Sequence, residues 1–429
     1  MKITLSDKSA PTEWGDNALL SNTVDGFDIH LNASEDRLDK IQQAARKISA
    51  LGVSEVTLTG SSWDMEGQWS FALGYLKARH CGVIHWADSA EDDASRLDQR
   101  LQIHNWLRSM MHATPEDQSP IKLAEDTVEF LQQFAPDAIS HEIISGDDLV
   151  RQGWVGVHAV GRGSDRPPAI LRLEYCPSEC RGEAIAATLV GKGLIYDSGG
   201  YSLKKTEHMF LMKTDMGGAA TVAAALATAI QAGLRKRILL ILCCAENLIS
   251  GRAYKNGDIL KYKNGVSVEI ANTDAEGRVV LADGLIMAGE TGAGLVIDAA
   301  TLTGAAIIAL GNDYNAIFAL DSELQNRALG YARQENERHW ALPLEKLHRN
   351  KFPSLYADTC NSRPVPGGGP GGASNAAGFL SRFAPNGGKG WLHFDLAGSF
   401  HAADNKLFAG GATGLGVRTI ARTLLEELA

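Results

Sequence analysis

Long apolar runs are missing from this 429-residue chain. No stretch of about 18 apolar residues offers a membrane span. The opening residues, Met1-Lys2-Ile3-Thr4-Leu5-Ser6-Asp7, lack the apolar core of a secretory signal. Basic charge is also short: 41 Lys and Arg stand against 51 Asp and Glu, a formal charge of −10. Phosphate binding needs a basic face, so this balance argues against a dedicated nucleic-acid binder. Cysteine is scarce, with six in the chain. Cys176 and Cys180 are spaced loosely like zinc ligands, but no second pair lies nearby to complete a site. Cys243 and Cys244 end the apolar run 238–242 and read as buried strand residues. All six are expected as free thiols of a reducing compartment, and the chain as cytoplasmic. The twelve histidines show no ligand spacing. His141-Glu142-Ile143-Ile144-Ser145 begins like a single-zinc protease motif but ends in Ser where the second His belongs.

What the chain does have is apolar content, 45% of its residues, enough for two domains and a large core. Residues 1–95 read as a small α/β domain. In it, Ser34, Glu35 and Asp36 precede a helix with Leu38, Ile41, Ala45 and Ile48 on one face, which Gly52 can end. A strand is expected at 55–58, and Trp63, Trp69, Phe71 and Tyr75 point to a second packed helix. The acidic stretch holding Asp88, Glu91, Asp92 and Asp93 marks a boundary. A long amphipathic helix over 95–111, carrying Leu97, Leu101, Ile103 and Leu107, lies within a connector spanning 96–118. The remaining 119–429 alternates strands (185–190, 238–244, 295–298, 391–395) with helical stretches such as 219–232 and 279–290. That alternation predicts a mixed, mostly parallel sheet covered by helices on both faces. Ligands of such sheets sit beyond the carboxyl ends of the strands. Asp197, Asn247 and Thr301 all follow expected strands. The Gly-rich piece 366–372 reads as a mobile loop.

Chemistry concentrates in two clusters. Asn272-Thr273-Asp274-Ala275-Glu276-Gly277-Arg278 packs two carboxylates and a guanidinium into five positions. If extended, Asp274, Glu276 and Arg278 would share one face, a claw suited to a divalent metal. The alternative is a solvated polar turn before a helix. The second cluster is Gly191-Lys192-Gly193-Leu194-Ile195-Tyr196-Asp197-Ser198-Gly199-Gly200, followed by Lys204 and Asp215. It is no phosphate loop, because Gly193 stands where Ser or Thr should follow Gly-Lys. Asp197, Asp215, Asp274 and Glu276 could not all ionise side by side without cations. Two divalent metals would supply that charge, as in two-metal hydrolases. Alternatively, each cluster serves its own turn.

The segments 190–200, Lys204, 215–218, 245–247, 272–278 and 298–304 resemble the leucyl aminopeptidase, or cytosol aminopeptidase, family. The resemblance covers about residues 156–428. The wording around 243–251 and the short N-terminal part are most similar to its bacterial peptidase B branch. The resemblance implies that Asp197 and Glu276 bridge two divalent ions, Mn²⁺ or Zn²⁺. Asp274 would complete the first site, and Lys192 and Asp215 the second. Lys204 and Arg278 would be catalytic. Lys204 would stabilise an oxyanion, and Arg278 would hold a bicarbonate proton shuttle beside a metal-bridged hydroxide. Lys192 can bind metal only as a neutral amine, which neighbouring dications favour. Met212, Thr301 and Gly304 match positions lining the family's side-chain pocket, although core packing is the other role open to Met212. Peptide substrates, peptide turnover in the cytoplasm and a homohexamer are further implications. Asn256-Gly257-Asp258-Ile259 departs from the family's Pro-Gly-Asp-Ile, which leaves the local loop open. A two-metal phosphoesterase and a non-catalytic binding role are the rival readings. The first fits Lys192 and Lys204 poorly, and the charge opposes the second.

Overall fold

A computed structural model describes the chain except residues 16, 33–35, 79–81, 89, 91, 366 and 367. The expected cap at Ser34 and Glu35, the thiol Cys81, Glu91 of the acidic boundary, and Pro366 and Gly367 of the Gly-rich piece therefore lie outside the described residues.

The chain forms two compact units. The first comprises Met1–Asn105 together with a return of the chain, Phe400–Thr413. Its sheet uses β1 (Lys2–Ser6), β2 (Leu20–Asn22), β3 (Gly26–His30), β4 (Glu55–Thr59) and β5 (Val83–His85) in the order β2-β3-β1-β4-β5. All pairs are parallel except β2 with β3. Helices α1 (Arg37–Ala50) and α2 (Met65–Tyr75) pack on it. Ile41 and Ile48 of α1 and Phe71 and Tyr75 of α2 are buried with Ile3, Ile29 and Val56 of the strands. Gly52 follows α1 at φ +85°, a left-handed position that suits glycine. Asp93–His112 is one continuous helix.

The second unit, Trp106–Ser399 with Gly414–Ala429, is built on an eight-stranded mixed sheet. Its strands are β6 (Ile139–Ser145), β7 (Ala169–Tyr175), β8 (Ala187–Asp197), β9 (Ile238–Asn247), β12 (Leu295–Ala300), β13 (Asn315–Phe318), β14 (His339–Ala341) and β16 (Trp391–Asp395). Their order is β14-β13-β16-β12-β8-β9-β7-β6. The central four, β16, β12, β8 and β9, run parallel. β7 and β6 add antiparallel at one edge, and β13 pairs antiparallel with β16 at the other. A small separate sheet joins β10 (Ile259–Lys261), β11 (Ser267–Glu269) and β15 (Thr359–Cys360).

Two helices show why the central strands are apolar on both faces. A Cβ on Gly191 of β8 would meet Ala219 of α3 (Gly217–Gln231) at 2.6 Å, so that helix lies against the Gly191 face. Val190, the preceding strand residue, packs on Gly284 of α4 (Glu276–Glu290), where a Cβ would lie 2.5 Å from Val190 Cγ1. Adjacent strand residues point to opposite faces, so α3 and α4 cover opposite sides of the sheet. Lys192 falls on the Val190 face, toward the beginning of α4.

β8 continues seven residues past its expected end at Val190, through Lys192 to Asp197. Glycines and a lysine break the apolar pattern there, yet the ladder with β9 persists to the pair Asp197–Asn247, interrupted by an irregularity between Leu194 and Tyr196. The strand reading of 272–278 is overturned. Asp274 sits in a turn, and Glu276 opens α4 as its first residue. His141 lies on the strand β6, not on a helix that could present paired zinc ligands. Cys176, Cys180, Cys243, Cys244 and Cys360 are free thiols. Among the described residues no helix is long and apolar enough to cross a membrane.

Candidate metal centre

The carboxyl ends of the central strands deliver the functional groups. β8 supplies Lys192 from its interior and Asp197 at its end. β9 ends at Asn247, and β12 leads straight into Thr301. Asp215 follows the single-turn helix Met212–Thr214, and Glu276 stands at the start of α4, where a negative charge meets the positive end of the helix dipole.

Here the carboxylates converge. One oxygen each from Asp197, Asp215 and Glu276, all buried, lie within 4.8 Å of one another. Two lysines enter the cluster. Lys192 Nζ donates to Asp215 Oδ1 at 2.8 Å and to the Thr301 carbonyl at 3.0 Å, and it lies 2.9 Å from Glu276 Oε1. Lys204 Nζ lies 2.8 Å from Asp197 Oδ2 and donates to Asp274 Oδ1. Four carboxylates against two ammoniums leave two negative charges if all are ionised.

Burial and repulsion register in the acidities. Burial, with Glu276 next to it, pushes the Asp197 carboxyl well above the usual range. Burial also raises Asp215 and Asp274, against the pull of Lys192 and Lys204 respectively. Glu276 goes the other way: burial opposes its charge, but Lys192 and Lys204 hold it below the ordinary value. For Lys192 burial opposes the charge, yet Asp215 and Glu276 raise its pKa, and the amine is an ammonium here.

A second tier of groups fixes these side chains. Asn247 Nδ2 donates to Asp197 Oδ1 at 2.7 Å and to the Thr273 carbonyl at 3.0 Å. The Tyr254 hydroxyl donates to the same carbonyl at 2.7 Å. Thr301 Oγ1 donates to Asp215 Oδ1 at 2.8 Å. Asp395, at the end of β16, accepts from the Leu302 and Thr303 N–H groups and from Thr303 Oγ1 at 2.6 Å, which sets the turn that carries Thr301. Gly199, at φ +83°, lets the chain pass Asp274, since a Cβ there would lie 2.9 Å from Asp274 Oδ1.

The residues present suit divalent cations. Asp215 Oδ2 is buried with no hydrogen-bond partner, an acceptor for which the protein offers no donor. The cluster's carboxylate oxygens are hard donors that divalent metals accept. Arg278 is half-buried, its Nη1 donates to the Asn361 carbonyl at 3.0 Å, and its Nε is buried with no hydrogen-bond partner. Burial lowers its pKa to about 10, so it stays charged at neutral pH and can receive an anion.

Residues 105–421 match the sequence model of the cytosol aminopeptidase family's catalytic domain. The chain belongs to the cytosol aminopeptidase family. It is therefore a metal-dependent aminopeptidase of a dinuclear class. Residues 2–90 match a second model, of unknown function and described as peptidase. Among solved structures, the aminopeptidase resembles bottromycin maturation enzyme BotP in complex with Mn at 28% identity and a TM-score of 0.86, over 100% of this chain and 99% of that one. It resembles cytosol aminopeptidase from Coxiella burnetii at 26% identity and a TM-score of 0.86, over 100% and 97% of the two chains. Leucyl aminopeptidase from Trypanosoma cruzi is similar at 25% identity and a TM-score of 0.82, over 99% and 92%.

Of the residues singled out from sequence, the aminopeptidase brings together Lys192, Asp197, Lys204, Asp215, Asp274, Glu276 and Thr301. Met212 begins the turn before Asp215 and is half-buried. Gly304 opens the helix Gly304–Leu310 and is exposed. The Met212 side chain makes no hydrogen bond to the cluster. Sequence reasoning missed Asn361, Tyr254 and Asp395. Asp395 could have been found, since it ends the expected strand 391–395. Asn361 and Tyr254 carry no local signal.

Proposed function

We propose that the enzyme removes the N-terminal residue of peptides with two divalent ions held by this cluster. Asp197 and Glu276 would each serve both ions, Asp274 would help hold one, and Lys192 and Asp215 the other. The observation that carries this reading is the buried convergence of Asp197, Asp215 and Glu276, together with Asp215 Oδ2, which has no hydrogen-bond partner. When bound, the two ions would activate water for attack and hold the substrate's free α-amine, which would confine cleavage to the first residue. The Mn complex of the similar BotP supports Mn²⁺, with Zn²⁺ the other candidate.

The chain's own groups do the rest. Lys204 carries a positive charge at the mouth of the cluster, 14% exposed, where it stabilises the oxyanion of the tetrahedral intermediate. Arg278 holds bicarbonate, the proton shuttle, through its uncommitted Nε. No histidine is among the groups described at the cluster, which leaves the base role to such an anion. Met212, Thr301 and Gly304 line the pocket for the first side chain. The enzyme works as a homohexamer in cytoplasmic peptide turnover, in the peptidase B branch of its family.

Hydrolysis of a chromogenic amino-acid anilide tests the reading. Product should appear with Mn²⁺ or Zn²⁺ and bicarbonate, and an N-acetylated substrate should be inert. Absence of release with both ions overturns it.

A further inference from the structure

Asn361 is 85 residues beyond Glu276 in sequence and fully buried. It follows β15 directly, and its N–H continues the ladder to the Glu269 carbonyl at 2.9 Å. The small sheet of β10, β11 and β15 thus acts as its base. From there its side chain meets the turn before α4 from both sides. Asn361 Oδ1 accepts from the Ala271 N–H at 2.9 Å and the Asn272 N–H at 3.2 Å. Asn361 Nδ2 donates to the Asn272 carbonyl at 2.6 Å and the Ala275 carbonyl at 3.3 Å. Both acceptor positions and both donor hydrogens of the amide are used, all on one five-residue turn. The main-chain oxygen of the same residue accepts from Arg278 Nη1 at 3.0 Å.

Only an uncharged primary amide meets these demands. A carboxylate would face two carbonyl oxygens, and a hydroxyl is too short to reach both strands of the turn. Asp274 and Glu276 hang from the segment so clamped, and Arg278 follows in the first turn of α4. We propose that Asn361 is a positioning residue of the metal centre: it sets the turn that presents Asp274 and Glu276, and it aims Arg278. This rests on the two-ion reading above. Partners that orient metal ligands are worth about 10–100-fold in metal affinity.

The test compares metal-stripped wild type with Asn361→Asp, Asn361→Ser and Thr359→Val by calorimetric titration with Mn²⁺, each with a thermal melt. Thr359 is buried in the same strand, and its hydroxyl bonds to the Phe352 and Cys360 carbonyls, away from the turn. It reports destabilisation of the small sheet alone. Both Asn361 variants should bind Mn²⁺ about 10–100-fold more weakly, with Thr359→Val at wild-type affinity. Should Asn361→Asp fail to fold, Asn361→Ser decides. Wild-type affinity in a folded Asn361 variant overturns the inference, and so does equal weakening in all three. A wild type that binds no divalent metal instead overturns the two-ion reading itself.

Discussion

Gly277 faces Lys192 so closely that a Cβ on the glycine would lie 2.7 Å from Lys192 Cε and 2.8 Å from Nζ. The glycine is the second residue of α4, and the lysine reaches it from the interior of β8. Glycine, which has no Cβ, stands where the amine needs room. Lys192 cannot simply swing aside, because Asp215, Glu276 and the Thr301 carbonyl all hold its Nζ.

Gly277→Ala should therefore fold, since alanine suits a helix, but its methyl should dislodge the Lys192 amine. kcat/KM at limiting metal should fall at least about tenfold, and the melting temperature should drop as buried ion pairs are broken. Steady-state kinetics and a thermal melt check this. Wild-type kinetics would show that the Lys192 position is not critical.

Glu276 and Lys204 should separate metal holding from turnover. Glu276→Ala removes a ligand proposed to serve both ions, so it should abolish activity and lose metal on dialysis. Lys204→Ala should reduce turnover by about 100-fold, the scale of losing one oxyanion donor, and keep near-normal metal. Elemental analysis of both dialysed variants distinguishes them. Equal metal loss contradicts the assigned roles.

Metal loading should depend on pH. Burial opposes the Lys192 charge, but Asp215 and Glu276 raise its pKa in the metal-free protein. A raised pKa means that the proton is held and must leave before the amine can bind metal. Affinity should climb with pH by about tenfold per unit for one proton released. Calorimetric Mn²⁺ titration in buffers of different ionisation enthalpy measures the proton directly.

Away from the centre, Asp283 on α4 accepts the Val157 N–H at 2.8 Å and caps the helix Val155–Gly161, while its Oδ1 is buried without a partner. Burial raises its carboxyl to about 8. The folded state therefore binds this proton more tightly than the unfolded chain, whose carboxyl titrates at about 4. Stability from this group is present below about pH 4 and lost as pH rises to about 8. Asp283→Asn removes that dependence, so its melting temperature should exceed that of wild type at pH 8 and converge with it near about pH 4. Parallel melting curves across that range would refute the assignment.

The apolar strands were legible in the sequence because burial on both faces writes a continuous run, as in 238–242. The end of β8 was not, because its inward groups are Lys192 and Asp197, polar residues whose partners come from Asp215, Glu276 and Lys204 elsewhere in the chain. The 272–278 segment showed its residue types but not their geometry. Alternation put Asp274, Glu276 and Arg278 on one face only for an extended chain, and α4 begins at Glu276 instead. Phe400–Thr413 joins the first unit with no compositional mark to announce it. Asn361 acts through four side-chain hydrogen bonds to a turn about 85 residues away, which no local pattern encodes.

The central claim is that one cluster, built on Asp197, Asp215 and Glu276, holds two ions and runs the hydrolysis. Titration of the metal-stripped enzyme with Mn²⁺, following bound metal and anilide hydrolysis together, tests it most directly. The account predicts saturation at two ions per chain, with full activity reached only as the second site fills. Activity in the stripped enzyme, or full activity with a single bound ion, would contradict it.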